Sequence, residues 1–135
     1  MFEWREELSC SIEIIDEQHK KLLNIGHELT ELVKSVNSND HYDDIMNLLH
    51  ELKDYTVYHF KTEEDILKDE YSGFRLHKAQ HDSFIDKIND VLSEDIDENQ
   101  KIITTDMMVF IADWIGNHIM RTDKLYIEFL TNKGY

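Results

Sequence analysis

Five histidines of this chain, His19, His59, His77, His81 and His118, fall where an amphipathic helix would carry leucine or isoleucine. A neutral imidazole has two ring nitrogens, and each needs a partner once buried. One histidine on an apolar face is ordinarily a satisfied core residue. Five on four converging faces would leave a core of poorly paired polar groups unless a metal took one nitrogen of each. The spacings agree with metal binding. His77 and His81 are four apart, so both project from one helical face and can hold one ion. His59 and Glu63, also four apart, set an imidazole beside a carboxylate; Glu64, one step further round, reads as solvated surface. His118 and Asp123 are five apart, and at about 100° per residue they would point roughly 140° away from each other on a regular helix. The apolar phase also shifts there, from Trp114 and His118 to Ile119, Asp123, Tyr126 and Leu130. A wide, π-like turn between His118 and Asp123 would bring both inward. Spacing alone leaves open whether Asp123 is a ligand.

These donors are too many for a tetrahedral zinc site. Magnesium and calcium prefer oxygen and would not use imidazoles. Shared between two first-row metals about 3.5–4 Å apart, with the carboxylates bridging, they nearly complete two octahedra. At least one position then lacks a protein ligand, and a small molecule can bind there. Donor chemistry does not decide between iron and manganese. No Glu-x-x-His occurs (Asp16-Glu17-Gln18-His19 is the nearest), so a carboxylate-rich di-iron site is not expected. His27-Glu28 and His50-Glu51 lack the second histidine of HExxH, and neither a phosphate loop nor GxSxG is present. A histidine-rich site favours reversible binding over oxygen activation.

The elements that must position these donors are helices. The 135 residues contain no proline and four glycines, so little in them breaks a helix. Residues recur by threes and fours along Ile12, Ile15, His19, Leu22, Gly26, Leu29, Val33 and Val36; along Ile45, Leu48, Leu52, Tyr55, His59, Thr62 and Ile66; along Phe74, His77, His81, Phe84, Ile88 and Val91; and along Ile103, Met107, Phe110, Trp114 and His118, continuing to about Leu130. The polar stretches 37–40, 69–73 and 94–100 separate them. The pattern predicts one all-α domain over 1–135, an antiparallel up-down-up-down four-helix bundle, with an N-terminal arm around Phe2 and Trp4. Met107, Met108 and Met120 are expected as core filling, and His27, His41 and His50 as solvent-facing. Acidic residues outnumber basic ones by 29 to 14, a net −15, which argues against nucleic acid as a partner. Cys10 is the single cysteine, so neither an intrachain disulfide nor a thiolate metal cluster is available. The charged N-terminal stretch, which has no apolar core, is not expected to act as a signal peptide, and no apolar run approaches the ~18 residues of a membrane span. The expected location is the cytoplasm.

Taken together, IIDEQHKKL around His19, HFKTEE at 59–64, HKAQH at 77–81 and WIGNHIMRTD at 114–123, with an aromatic Trp4 ahead of them, resemble a bacterial hemerythrin over residues 2 to about 130. The resemblance implies that His77, His81 and His118 hold one iron and His19 and His59 the other. Glu63 and Asp123 would bridge the two irons, together with an oxo or hydroxo group. It adds Asp123, whose spacing is a mark of the family, to the ligand set. It further implies reversible O2 binding at the five-coordinate iron, for storage, delivery or scavenging. Phe60, Trp114, Ile115 and Ile119 neighbour the ligands in sequence and are candidate pocket linings, although plain core positions would look the same. Cys10, Ser11 and Leu67 depart mildly from the family pattern, and none is expected to touch a ligand. Two other functions stay open: a di-iron peroxidase or NO-reducing enzyme, and an O2 sensor acting through a separate, unknown protein partner.

Overall fold

A computed structural model of the chain describes residues 2–34, 42–93 and 100–135. Four long helices carry the molecule: α1 (Glu13–Lys34), α2 (Tyr42–Leu67), α3 (Phe74–Leu92) and α4 (Gln100–Asn117). They form a four-helix bundle in which α1 lies against α2 and α4, and α2 against α3. No strand occurs among the described residues. None of the described helices is long and apolar enough to cross a membrane.

The fourth helix does not run on as a regular α-helix. A π turn, His118–Thr122, follows α4 directly. A 3-10 turn, Asp123–Tyr126, and a short helix α5 (Ile127–Asn132) complete the chain. The extra residue in the wide turn rotates everything after it, which accounts for the phase change read between Trp114 and Leu130.

Two of the four stripes are displaced from their expected phase. On α2 the buried positions are Ile45, Leu49, Leu52, Thr56, His59, Phe60, Glu63 and Leu67, while Leu48, Tyr55, Thr62 and Ile66 are only half-buried. On α4, Met108, Ile111 and Ile115 are buried, and Phe110 and Trp114 sit at the margin. Met120 is 36% exposed and fills no core, because the π turn carries it outward. His27 and His50 face solvent as expected. Val36, His41 and the stretches 37–40 and 94–99 lie outside the described residues.

The buried apolar side chains fall into two clusters. The larger includes Leu22, Leu29, Leu52, Phe60, Phe84, Ile111, Ile115 and Ile119. The smaller is Cys10, Ile12, Ile15, Leu67, Tyr126 and Leu130. The arm joins both, for Phe2 and Leu8 enter the larger cluster and Cys10 the smaller. Asp16, in the first turn of α1, ties the arm down by accepting the Ser9 hydroxyl at 2.5 Å and the Cys10 backbone N–H at 2.8 Å.

Two helical glycines give a paired test. A methyl group on Gly26 would overlap the ring of Phe2, whereas one on Gly116 would meet nothing within 4 Å. Alanine gains up to about 1 kcal/mol over glycine inside a helix. Gly116→Ala is therefore expected to stabilise by about 0.5–1 kcal/mol. Gly26→Ala must displace a buried phenylalanine worth about 1.5–3 kcal/mol and should destabilise on balance. Urea unfolding of the two variants checks both signs.

Candidate metal centre

Helices α1, α2 and α3 and the turns that follow α4 contribute to one buried polar cluster. His19 comes from α1, His59 and Glu63 from α2, His77 and His81 from α3, His118 from the start of the π turn, and Asp123 from the residue after it. All seven are 5% exposed or less. Glu63 Oε1 lies 2.9 Å from His59 Nε2 and 3.6 Å from His81 Nε2, and Oε2 lies 3.7 Å from His77 Nε2. Asp123 Oδ1 lies 3.0 Å from His118 Nε2 and 3.2 Å from His77 Nε2, while Oδ2 lies 3.0 Å from His19 Nε2. Two donor groups follow, each with its ligand atoms within 4.8 Å of one another: Glu63, His77, His81, His118 and Asp123; and His19, His59, Glu63 and Asp123. Both carboxylates belong to both groups. That overlap is the geometry of two cations sharing two bridges.

Direction separates this cluster from a hydrogen-bonded polar core. Although His19 Nε2 and His77 Nε2 lie within bonding distance of Asp123, neither nitrogen is hydrogen-bonded, and nor are Glu63 Oε1 or the two Asp123 oxygens. His81 Nε2 and His118 Nε2 face each other at 3.1 Å. Lone pairs that converge on shared points, rather than on one another's protons, are what metal ligands present. Left without an ion, each such atom would cost about 1–3 kcal/mol in lost hydration. The donor set therefore fits cations.

The electrostatics point the same way. Burial and the Asp123 charge push Glu63 upward, but His59 and His77 outweigh them and hold it down at about 2. Asp123 is likewise held well below the usual carboxylate range against its burial, chiefly by His118. Burial opposes charge on His77, yet the facing carboxylates of Asp123 and Glu63 raise it to about 9. Burial drives His81 down to about 3. Two ionised carboxylates in a dry core attract positive charge.

A second ring of groups orients the imidazoles. With each Nε2 turned to the cluster, Nδ1 carries the proton. His59 Nδ1–H donates to Gln18 Oε1 at 2.7 Å, and His118 Nδ1–H to Gln80 Oε1 at 3.1 Å. Thr122 Oγ1–H donates to the same Gln80 oxygen at 2.9 Å. His81 Nδ1–H donates to Glu64 Oε2 at 2.9 Å. Glu64 is thus half-buried at the site and not the solvated residue expected from sequence; burial raises its pKa. Tyr126 Oη–H donates to Glu63 Oε2 at 2.6 Å. Cys10 also comes nearer than expected, its sulfur grouping with Asp16 and a ring nitrogen of His19 within 4.8 Å. Sequence reasoning missed Gln18, Gln80 and Tyr126. The first two directly precede His19 and His81, and that adjacency was the available signal.

A small cavity adjoins the two-histidine side. Its walls include Phe60, Trp114, Ile115 and Ile119, the side chains expected there, together with Leu22 and Thr56. His19, His59, His118 and Asp123 close it from the cluster. Its volume of about 10 Å³ is close to the least that seats one water-sized molecule. The Phe60 ring stacks on His81 at 3.7 Å, and Trp114 stacks on His118 at 4.4 Å. Leu67 is buried among the smaller apolar cluster, away from these walls.

A family model described as the hemerythrin HHE cation binding domain matches residues 10–130. The chain belongs to the hemerythrin family. Among its relatives, a bacteriohemerythrin of Clostridium acetobutylicum is 39% identical over 129 residues, covering 95% of this chain and 100% of the relative. A bacteriohemerythrin of Methylococcus capsulatus is 32% identical over 121 residues, covering 89% of this chain and 88% of the relative. A crystal structure of wild-type hemerythrin superposes with a TM-score of 0.79 at 30% identity, over 92% of this chain and 93% of that one. In this hemerythrin chain the π turn brings the two residues that regular helix geometry would have held apart to 3.0 Å, His118 Nε2 to Asp123 Oδ1.

Proposed function

We propose that the protein holds two iron ions in this cluster and binds O2 reversibly beside the ion held by His19 and His59. His77, His81 and His118 would hold the other ion, with Glu63 and Asp123 bridging, together with an oxo or hydroxo group. One observation carries the reading: both carboxylates are shared by a three-histidine and a two-histidine set, and the cavity borders the set with fewer ligands. A pair of ferrous ions there would supply the two electrons and the open position that O2 needs.

The chain's own residues then favour carriage over turnover. Leu22, Phe60, Ile115 and Ile119 wall the cavity with hydrocarbon and keep bulk water out. The hydroxyls of Thr56 in the cavity wall and of Tyr126 beside Glu63 have their protons engaged. Thr56 Oγ1 donates to Leu52 O at 2.6 Å, and Tyr126 donates to Glu63, with burial holding its own pKa far above the ordinary phenol range. Neither offers an acid proton to a molecule in the cavity, so neither would assist the loss of bound O2 as peroxide. The buried free thiol of Cys10 suits a reducing cytoplasm.

Stopped-flow mixing of the anaerobic ferrous protein with O2 tests the proposal. The expected result is a visible absorption band that forms with O2 and disappears under argon, with about two irons per chain. Immediate irreversible oxidation, with turnover of peroxide or NO, would replace it with the enzyme reading.

A further inference from the structure

We propose that Glu64 is a positioning residue for the metal centre. By placing a full negative charge behind His81, it favours the oxidised state of the ion held by His77, His81 and His118. The inference rests on the two-iron reading above and goes beyond it, to an asymmetry between the two halves of the site.

Three of the five imidazoles have an outer partner, and the partners differ in charge. His59 and His118 lean on neutral amide oxygens, those of Gln18 and Gln80. His81 leans on a carboxylate oxygen at 2.9 Å. A carboxylate draws the Nδ1 proton toward itself and makes the opposite nitrogen a better electron donor. More donation stabilises the higher oxidation state of whatever ion that nitrogen holds. The charge acts across little water, since His81 is 1% exposed and its ring is covered by the parallel ring of Phe60.

The Lys78 charge also reaches Glu64, but the ion-pair contacts of the neighbouring lysines are made to other carboxylates. Lys61 pairs with Asp65 at 3.2 Å and Lys78 with Asp82 at 2.9 Å, each along its own helix. Glu64 is half-buried, on the wall of a surface groove shared with Phe60, Ile85 and Asp86, so its carboxylate faces solvent on one side and His81 on the other. The three-histidine side is thereby made the more readily oxidised side.

The test is a pair of charge edits that preserve the hydrogen bonds. Glu64→Gln keeps an acceptor for the His81 Nδ1–H and removes the charge; Gln80→Glu adds a charge behind His118. Iron content, circular dichroism and the midpoint potential from spectroelectrochemical titration are measured for the parent and both variants. Glu64→Gln is expected to retain the parent's iron content and helicity while weakening the oxidised state about tenfold, a rise of roughly 59 mV per electron. Gln80→Glu should move the potential in the opposite direction. An unchanged potential in iron-loaded Glu64→Gln would overturn the proposal on its own. If that variant fails to fold or load, an unchanged or raised potential in Gln80→Glu overturns it instead. A parent protein without iron would overturn the two-iron reading, and this inference with it.

Discussion

Replacing Glu63 with alanine is expected to strip both metal ions from the protein together, where losing a ligand of one ion alone should spare part of the other. Glu63 belongs to both donor groups, while His77 belongs to the three-histidine group only. On the two-iron proposal its removal would delete a bridge, and it leaves the Tyr126 hydroxyl, which donates to Glu63 at 2.6 Å, buried without a partner. The orphaned hydroxyl costs about 1–3 kcal/mol by itself. Loss of ions present at a thousandfold above their dissociation constant removes about another 4 kcal/mol of linked stability. For a chain of this size the sum corresponds to a fall of roughly 15–25 °C in melting temperature. Glu63→Gln keeps the shape and an oxygen for Tyr126 but not the charge, so it should fold better than the alanine variant yet still lose iron. Iron analysis and thermal unfolding of the parent, Glu63→Ala, Glu63→Gln and His77→Ala give the comparison. Full iron content in Glu63→Gln would mean that the carboxylate does not bridge.

The second large effect is expected at Ile119. This side chain is 2% exposed and serves at once as cavity wall and as part of the larger apolar cluster. Cutting it to alanine leaves a cavity in the packed core, at a cost of about 2–4 kcal/mol. The same opening admits water beside the two-histidine side. Spontaneous oxidation of the O2-loaded protein should then accelerate by an order of magnitude or more, because a proton source now reaches the cavity. Ile119→Val, costing about 1 kcal/mol, should fall between. Decay of the visible band at fixed temperature measures the effect. Equal decay in all three proteins would place the O2 site elsewhere.

The part of this molecule that was legible in sequence was the part where residue type contradicted its surroundings. Histidines on aliphatic stripes cannot be explained as ordinary core, and they located the cluster. The wide turn after His118 was legible for a related reason: both a donor pair and the apolar phase slipped by one residue at the same place. Helix faces were harder. On α2 the buried seam passes through Thr56 and Glu63, two polar residues, while Leu48 and Tyr55 lie half-buried at its edge. A reading that follows hydrophobicity is drawn to the edge. On α4 the large rings of Phe110 and Trp114 had the same effect, since they cover the core from its margin by stacking on Phe84. Gln18, Gln80 and Glu64 went unread because adjacency to a ligand was their one signal, and a polar side chain there looks like a solvated one until the neighbouring helix is in place. Asp123 needed the family resemblance, as spacing alone left its role open.

The polar cluster also divides the interior. Along α1, His19 separates Ile15 of the smaller apolar cluster from Leu22 of the larger, and along α2, Glu63 separates Leu67 from Phe60 in the same sense. Between Ile119 and Tyr126 on the last segment stands Asp123. The oily interior is therefore cut in two by a charged partition, and hydrophobic contact alone does not weld its halves. On the two-iron proposal, ions clasping ligands from every wall of that partition would act as rivets across it. Withdrawing them should let the end bearing Cys10, Leu67 and α5 fray independently of the rest, turning an all-or-none molecule into one with two separately melting parts.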